Sequence, residues 1–462
     1  MMDTAMAAAV LNGRLIGPSV FFNRVSTDTR TLAPGDLFVA LKGERFDGHY
    51  FVGRAFELGA VAALVSDIDV DAGAKAGTRI AVDDSLSALG RLAAHWRRRF
   101  DVPVVVVVGS NGKTTVKEMI ASILRAQFGD DRVLATRGNL NNAIGLPLTV
   151  LGLRDSHRAA VIELGMNHPG ETAQLASIAG PTVALINNAQ REHQEFMHGV
   201  ADVAAEHGAL LPALAGHGVA VINADDPHVD VWRRAVPAGC RIVDFALDHA
   251  AAVRGECSGD AASIRSHTSL HIITQGGAVD VTLAIPGRHS AANALAATAA
   301  ALAAGAGLPA VVSGLETFAP VAGRLVSRMA KSGAAVIDDT YNANPDSVQA
   351  AIAVLAAMRP PRWLVLGDMG EVGHEGAAYH REAGHAARAA GIERLLAAGP
   401  LAAEAAAAFG TRGEHFASVE ALAKHVAAAA RENVTILVKG SRFMRMERVV
   451  AKLCNDPAEE AH

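Results

Sequence analysis

The sequence predicts an α/β protein of three domains built on parallel sheets, and three observations carry that expectation. A chain of 462 residues exceeds what one hydrophobic core usually organises. Five valines without alternation, Val104 to Val108, run into Gly109-Ser110-Asn111-Gly112-Lys113-Thr114-Thr115 and then into apolar positions at helical spacing. That is the strand, loop and helix order of a sheet buried on both faces. After residue 320, apolar runs at Ala335 to Ile337, Trp363 to Leu366, Leu395-Leu396 and Val434 to Val438 alternate with helical stretches, the pattern of a Rossmann-like, doubly wound sheet.

The first domain, residues 1–100, holds short elements. Asp36 to Leu41 alternates enough to be a strand, and Val61 to Val65 is another, after a helix from about Phe51 to Leu58. The N-terminus carries Asp3 where an export signal needs a basic residue, and its apolar stretch is short and alanine-weighted, so the protein is expected in the cytoplasm. Arg97-Arg98-Arg99-Phe100-Asp101-Val102-Pro103 reads as a charged break before the central domain, residues 101–320.

In the central domain the glycine loop opens a helix. Free backbone N–H groups and the positive end of the helix dipole then face an incoming anion. Such a P-loop places Lys113 on the β- and γ-phosphates of a nucleotide and the Thr114 hydroxyl on Mg2+. Val107 stands where the common form of the motif has its first glycine. Ligands of parallel sheets collect beyond the carboxyl ends of the strands, and the polar residues gather there. Thr136-Arg137-Gly138-Asn139-Leu140-Asn141-Asn142 follows the phosphate-loop helix. Ala159 to Glu163 is an apolar strand ending in one carboxylate, and Val183 to Ile186 runs into Asn187 to His193. A cation beside phosphates takes oxygen ligands from one or two carboxylates, which makes Glu163 a candidate. The alanine-rich run Ala291 to Ala306 is too weakly lipophilic for a membrane span and reads as a helix packed closely on a sheet.

Composition excludes other classes. Half the residues are apolar, 19% are charged and the net charge is -5, which gives no electrostatic reason to bind nucleic acid. Cys240, Cys257 and Cys454 form neither a C-x-x-C pair nor an even set, which fits a reducing compartment and a packing role. A guanine-reading Asn-Lys-x-Asp cannot occur between Lys117 and Lys331, because that span has no lysine.

The motif order is specific. Gly109 to Thr115, Thr136-x-Gly138-Asn139-x-Asn141-Asn142, Glu163-x-Gly165-Met166-Asn167, and Asn188-Ala189 with His193 resemble the Mur ligase family of ATP-dependent peptidoglycan precursor synthetases. Ser26 to Arg30, Gly35 to Phe38 and Gly43 to His49 resemble its nucleotide-sugar domain. Gly323-Arg324, Asp338 to Pro345, Leu366 to Glu371 and Lys439 to Arg442 resemble its C-terminal domain, here residues 321–462. The Tyr341-Asn342-Ala343-Asn344-Pro345 and Gly367 to Glu371 runs point to the member that joins D-alanyl-D-alanine (D-Ala-D-Ala) to UDP-MurNAc-tripeptide. A folate polyglutamylating ligase of the same superfamily would lack the Ser26 to His49 segment.

The resemblance implies ATP and Mg2+ as cofactors and small-molecule substrates for a monomer. It implies catalytic roles for Lys113, Glu163, His193 and Arg324, and a metal held by Thr114, Glu163 and His193. The nucleotide would meet Gly109 to Thr115, Arg324, Asn293 at the adenine and Asp339 near the ribose. Ser26, Asp28, Arg30, Gly43, Asp47 and His49 would hold the UDP-sugar. Thr136, Asn139, Asn141, Asn142, Asn342, Asn344, Lys439, Ser441 and Arg442 would complete the substrate sites. Ser290 stands where the family usually has an asparagine. Many members carry a carbamylated lysine at the position of His207, so His207, Glu206 or nothing replaces it here. Closure of the last domain on the nucleotide is implied, from an open resting state.

Overall fold

The computed structural model describes residues 1–44, 46–67, 77–214, 216–258 and 267–454. Arg45, within the Gly43 to His49 run, lies outside them. Three main sheets form, within residues 14–81, 104–283 and 326–439. Among the described residues no helix is long and apolar enough to cross a membrane.

The valine run is the reason for the central sheet's order. Val104–Val108 lies between Ala159–Glu163 and Val183–Ile186, parallel to both, and every valine is at most 1% exposed. Burial of each such side chain contributes about 1.5 kcal/mol. Val107, in place of a glycine, is an ordinary strand residue paired with Glu163 and Leu185, so the tight turn starts only at Gly109. From Val133–Ala135 at one edge the sheet runs through these three strands to Val219–Asn223, Arg241–Ala246 and Val253–Ser258, all parallel. It then departs from the purely parallel expectation: Thr268–Thr274 and Gly277–Leu283 add an antiparallel hairpin. Their alternating burial, one face inward and one outward, is what an edge hairpin needs.

Helix Arg288–Ala303 packs on this sheet and against the phosphate-loop helix Lys113–Phe128, its alanines allowing a close approach. Helix Leu308–Glu316 lies on the same phosphate-loop helix. Gly314 makes that contact possible, since a Cβ there would stand 2.4 Å from Ile123 Cα, and its carbonyl accepts from Ser122 Oγ at 2.7 Å.

The first sheet is ordered Arg14–Ile16, Thr78–Ala81, Ala62–Val65, Asp36–Val39, Arg24–Ser26, with only the first pair antiparallel. Asp36–Val39 is buried throughout and does not alternate between core and solvent. Its polar member, Asp36, is neutralised by Arg24 at 2.6 Å. The Arg97 to Pro103 stretch exposes Arg98, Arg99 and Asp101 but anchors its first residue. Arg97 is 8% exposed and donates to Ala179 O (3.1 Å) and Phe100 O (2.6 Å), while Trp96 Nε1 donates to Leu153 O (3.1 Å), so helix Ser85–Arg97 is tied to the central domain. The third sheet is parallel from Ala335–Asp339 through Thr435–Lys439, Arg362–Gly367 and Arg394–Ala398 to Gly413–Phe416, with Val326–Met329 antiparallel at its edge. Cys257 is exposed, so it is not the packing residue the sequence suggested.

Gly314→Ala forces helix Leu308–Glu316 away from Ile123 and is expected to cost about 1–3 kcal/mol. A fall of several degrees in the midpoint of thermal unfolding checks this; an unchanged midpoint contradicts it.

Candidate active site

A cleft of about 820 Å³ opens where the carboxyl ends of the central strands face the C-terminal domain. Its floor is the first turn of helix Lys113–Phe128, which no side chain caps. Gly112 precedes it at φ 82, and a Cβ there would lie 2.6 Å from Asn293 Oδ1, so both the backbone conformation and the space require glycine. Amides shape the loop. Asn188 O accepts from Ser110 N (3.1 Å) and Asn188 Oδ1 from Asn111 N (2.9 Å). Asn187 Nδ2 bridges Asn111 O (2.8 Å) and Asn293 Oδ1 (2.9 Å). Asn293 therefore supports the loop from below as well as lining the cleft, and Ser290 is buried and donates to Pro286 O.

Glu163 ends its strand in this cleft at 3% exposure. Its N–H donates to Thr136 Oγ1 (3.0 Å), and Oε1 accepts from Asn141 Nδ2 (2.8 Å). Oε2 is buried with no hydrogen-bond partner. An ionised oxygen in that position wants a cation. Among the described residues no group of three or more His, Cys, Asp or Glu side chains could hold a metal alone. Any Mg2+ must therefore take most of its ligands from phosphate, water and the Thr114 hydroxyl, which suits that ion. Thr136 itself is buried and faces a second, smaller cavity, and its carbonyl accepts from the fully buried Lys117 (2.7 Å). It holds Glu163 in place and does not line the main cleft. Asn139, Asn141 and Asn142 do line it, Asn142 also accepting from Ile144 and Gly145 N–H.

A residue that sequence reasoning left without a role occupies the centre. Glu192 is 6% exposed; its Oε2 is 3.1 Å from Lys113 Nζ, its Oε1 is 3.0 Å from His207 Nε2, and His193 Nε2 is 3.7 Å away. Burial alone would raise its carboxyl pKa, but Lys113, then His207 and His193, outweigh it and hold it at about 2. The only sequence signal was its place beside His193 at a strand end. Lys113 also donates to Gly109 O (2.5 Å). His193, at φ 49, turns Nδ1 toward Glu371 Oε2 at 2.6 Å. That neighbour keeps the Glu371 carboxyl below its ordinary value. Glu206, the other candidate for the missing carbamate, is committed elsewhere. Its two oxygens accept from Gly170 and Thr172 N–H (2.9 and 2.8 Å) at the start of helix Glu171–Ala179.

The C-terminal domain packs against the cleft in this structure. Arg324 Nη2 donates to Thr114 Oγ1 (2.9 Å), its guanidinium stacks 4.1 Å over Tyr341, and its Nε is buried without a partner. Asn344 and Asn111 exchange amide hydrogen bonds of 3.0 and 3.3 Å. Arg191 bridges to Asp346 (2.6 Å) and Glu382 (2.8 Å) of that domain, and the two carboxylates, Glu382 foremost, raise its pKa against burial. Lys439 and Asp339, expected at different ligands, form one partly buried ion pair of 2.6 Å, with Asn342 O also accepting from Lys439 (3.0 Å). Asn342 and Arg442 line the cleft, whereas Ser441 is buried between Gly370 N and Ala343 O.

The N-terminal candidates do not line this cleft. Ser26, Asp28 and Arg30 form a self-bonded turn, with Arg30 on Asp28 at 2.7 Å and its side chain exposed. Gly43 pairs its N–H with Phe46 O, and Asp47 caps the short helix Gly48–Phe51. His49 is buried with Nδ1 on Asp47 (2.6 Å) and Nε2 accepting from Ser66 N (3.0 Å), so neither ring nitrogen is left for a ligand.

Known families cover the chain in three pieces. The Mur ligase family catalytic domain matches residues 22–97, the Mur ligase middle domain 107–301, and the Mur ligase glutamate ligase domain 323–442. The UDP-N-acetylmuramoyl-tripeptide--D-alanyl-D-alanine ligase of Escherichia coli K12 is 43% identical over 448 residues, 96% of each chain. The chain belongs to the Mur ligase family. The ligase of the same name from Haemophilus influenzae is 38% identical, with 98% of each chain covered. Among solved structures, MurF from Acinetobacter baumannii superposes with a TM-score of 0.89 at 32% identity, covering 98% of this chain and 99% of that one. MurF from Thermotoga maritima in complex with ADP gives 0.79 at 26% identity, covering 93% and 96%. For this Mur ligase chain both the fold and the three-part architecture follow.

Arg191→Ala removes the contacts to Asp346 and Glu382. Small-angle scattering of the ligand-free protein should then show a radius of gyration above the about 23 Å of a compact chain of this length. Identical scattering from wild type and variant would mean that Arg191 does not hold the domains together.

Proposed function

We infer that this chain joins D-Ala-D-Ala to UDP-MurNAc-tripeptide at the expense of ATP, giving UDP-MurNAc-pentapeptide, ADP and phosphate. The observation that carries this reading is the meeting in one cleft of Lys113, Glu163 and His193 from the central domain with Arg324, Asp339 and Asn342 from the last. Relatives of the same name, matched over nearly their whole length, support the choice of substrates.

A carboxylate is a poor electrophile. The terminal carboxylate of the tripeptide must first attack the γ-phosphorus of ATP; the bond to the β-phosphate oxygen breaks and ADP departs, leaving an acyl phosphate. Two anions have to approach each other, so the site must neutralise charge before it can position anything. Lys113 and the bare N–H groups after Gly112 do this on the phosphates, and Arg324 does it from the opposite wall, where its orphan Nε has a bond to give. Thr114 and Glu163, with His193 beyond them, would hold Mg2+, which supplies further charge neutralisation on the transferring group when bound. The dipeptide amine then adds to the acyl carbon, loses a proton, and the tetrahedral intermediate expels phosphate.

Asn293 and Asp339 are assigned to the nucleotide, the latter with its charge balanced by Lys439. Ser26, Asp28, Arg30, Gly43 and Asp47 are assigned to the UDP-sugar. Asn342, Asn344, Ser441 and Arg442 are assigned to the incoming dipeptide, Ser441 through the backbone it braces. The enzyme is proposed to work as a monomer, as the resemblance implies, in the cytoplasm where its precursors are made.

Phosphate release measured with each substrate omitted in turn tests the reading. It should require ATP, UDP-MurNAc-tripeptide and D-Ala-D-Ala together, and Lys113→Ala should lower it by at least about 10²-fold. Release that ignores the dipeptide would point to a different acceptor. With no lysine between 117 and 331, turnover should also be the same in carbonate-free buffer as with added bicarbonate. Rescue by bicarbonate would contradict this.

A further inference from the structure

Glu192 is not needed to build the phosphate loop, and at first sight it works against it. The loop's task is to attract phosphate, yet a carboxylate only 6% exposed stands 3.1 Å from Lys113 Nζ. The ammonium is folded back onto its own loop, donating to Gly109 O (2.5 Å) and Ser110 O (3.4 Å) besides Glu192. To reach a phosphate Lys113 must release one of these three acceptors, and Glu192, a buried carboxylate beside it, would then face additional negative charge. His207 Nε2, 3.0 Å from Oε1, fixes the carboxylate's position, but that contact lacks hydrogen-bond geometry, so Oε1 retains unused acceptor capacity. His193 Nε2 lies 3.7 Å from the other oxygen. The unpartnered Oε2 of Glu163 lines the same cleft. Two buried carboxylates with spare oxygens flank a loop whose single ammonium one of them already neutralises.

Together these features point to a device. We infer that Glu192 is a charge gate, cancelling Lys113 until a divalent cation arrives with the nucleotide, so that this phosphate loop binds the metal complex and rejects the bare triphosphate. The inference rests on the reading of the cleft as a triphosphate site. It makes Glu192 a specificity-determining residue: a neutral side chain in its place would leave Lys113 free for any polyphosphate. It also gives His207 a task, that of holding Glu192 at the loop. The chain thereby carries at this point a fixed carboxylate from its own sequence, in a span that has no lysine to be modified into one.

The test is binding, not turnover. Affinity of a non-hydrolysable ATP analogue with an imido β,γ-bridge is measured by calorimetry, once with Mg2+ and once with chelator, for wild type and Glu192→Gln. Removing one nearby like charge should tighten metal-free binding by about tenfold and shrink the ratio of the two dissociation constants by at least that factor. A residue that only shapes the loop would weaken both forms alike. Equal weakening, or an unchanged ratio, overturns the gate. If the glutamine variant does not fold, Glu192→Ala carries the same expectation, since it asks the site to hold no amide. Wild-type protein that binds the analogue under neither condition would overturn the triphosphate reading itself, whereas a normal wild-type ratio retained in the variants would overturn only the gate.

Discussion

The rest of the molecule depends on one exposed set of backbone dipoles. Helix Lys113–Phe128 begins without a side-chain cap, directly after a strand that is buried on both faces, so its first turn presents N–H groups at the bottom of a cleft. An uncapped helix start is tolerated only where something else will satisfy it, and an anion does so with both hydrogen bonds and dipole. Asparagines brace the loop, glycine at 112 lets the chain approach Asn293, and Glu163 leaves the neighbouring strand end with one oxygen unsatisfied. A bound anion would satisfy the bare N–H groups of the loop, and a cation would satisfy the free oxygen of Glu163.

The second organising fact is that the cleft is shared. Arg324 reaches Thr114, Asn344 exchanges bonds with Asn111, and Arg191 holds Asp346 and Glu382, all between segments more than 150 residues apart. Apolar packing is continuous too: one core cluster joins the phosphate-loop helix and Ile285 to Leu325, Ile337 and Ala343. The domain contact is therefore a mixture of a greasy seam and a few charged bridges.

Local chemistry was legible in the sequence, and so was the gathering of phosphate loop, carboxylate and histidine at one end of the central strands; the individual side-chain contacts were not. The unbroken valine run and the glycine loop after it state their own geometry, because period and turn chemistry are encoded within a dozen residues. Glu163 could be proposed because a strand end beside a phosphate loop is a place where carboxylates meet cations. Glu192 could not, since a glutamate in a polar loop looks solvated, and only the fold sets Lys113 and His207 against it. His49 and Thr136 looked like ligand residues, yet in this structure His49 bonds to Asp47 and Ser66, and Thr136 Oγ1 accepts from Glu163 N–H. The hairpin of residues 268–283 escaped notice because its strands border a region weak in apolar pattern, and the interdomain salt bridges because they leave no mark in local sequence.

The scarcity of lysine has a practical corollary. Residues 101–320 contain two, and Lys117 is sealed in the interior, its ammonium shared between Glu118 and a backbone carbonyl. Lys113 is left as the one amine of that region open to reagents. A nucleotide carrying an amine-seeking warhead would thus find a single address on the whole central body, and the label would report directly on occupancy of the phosphate cradle.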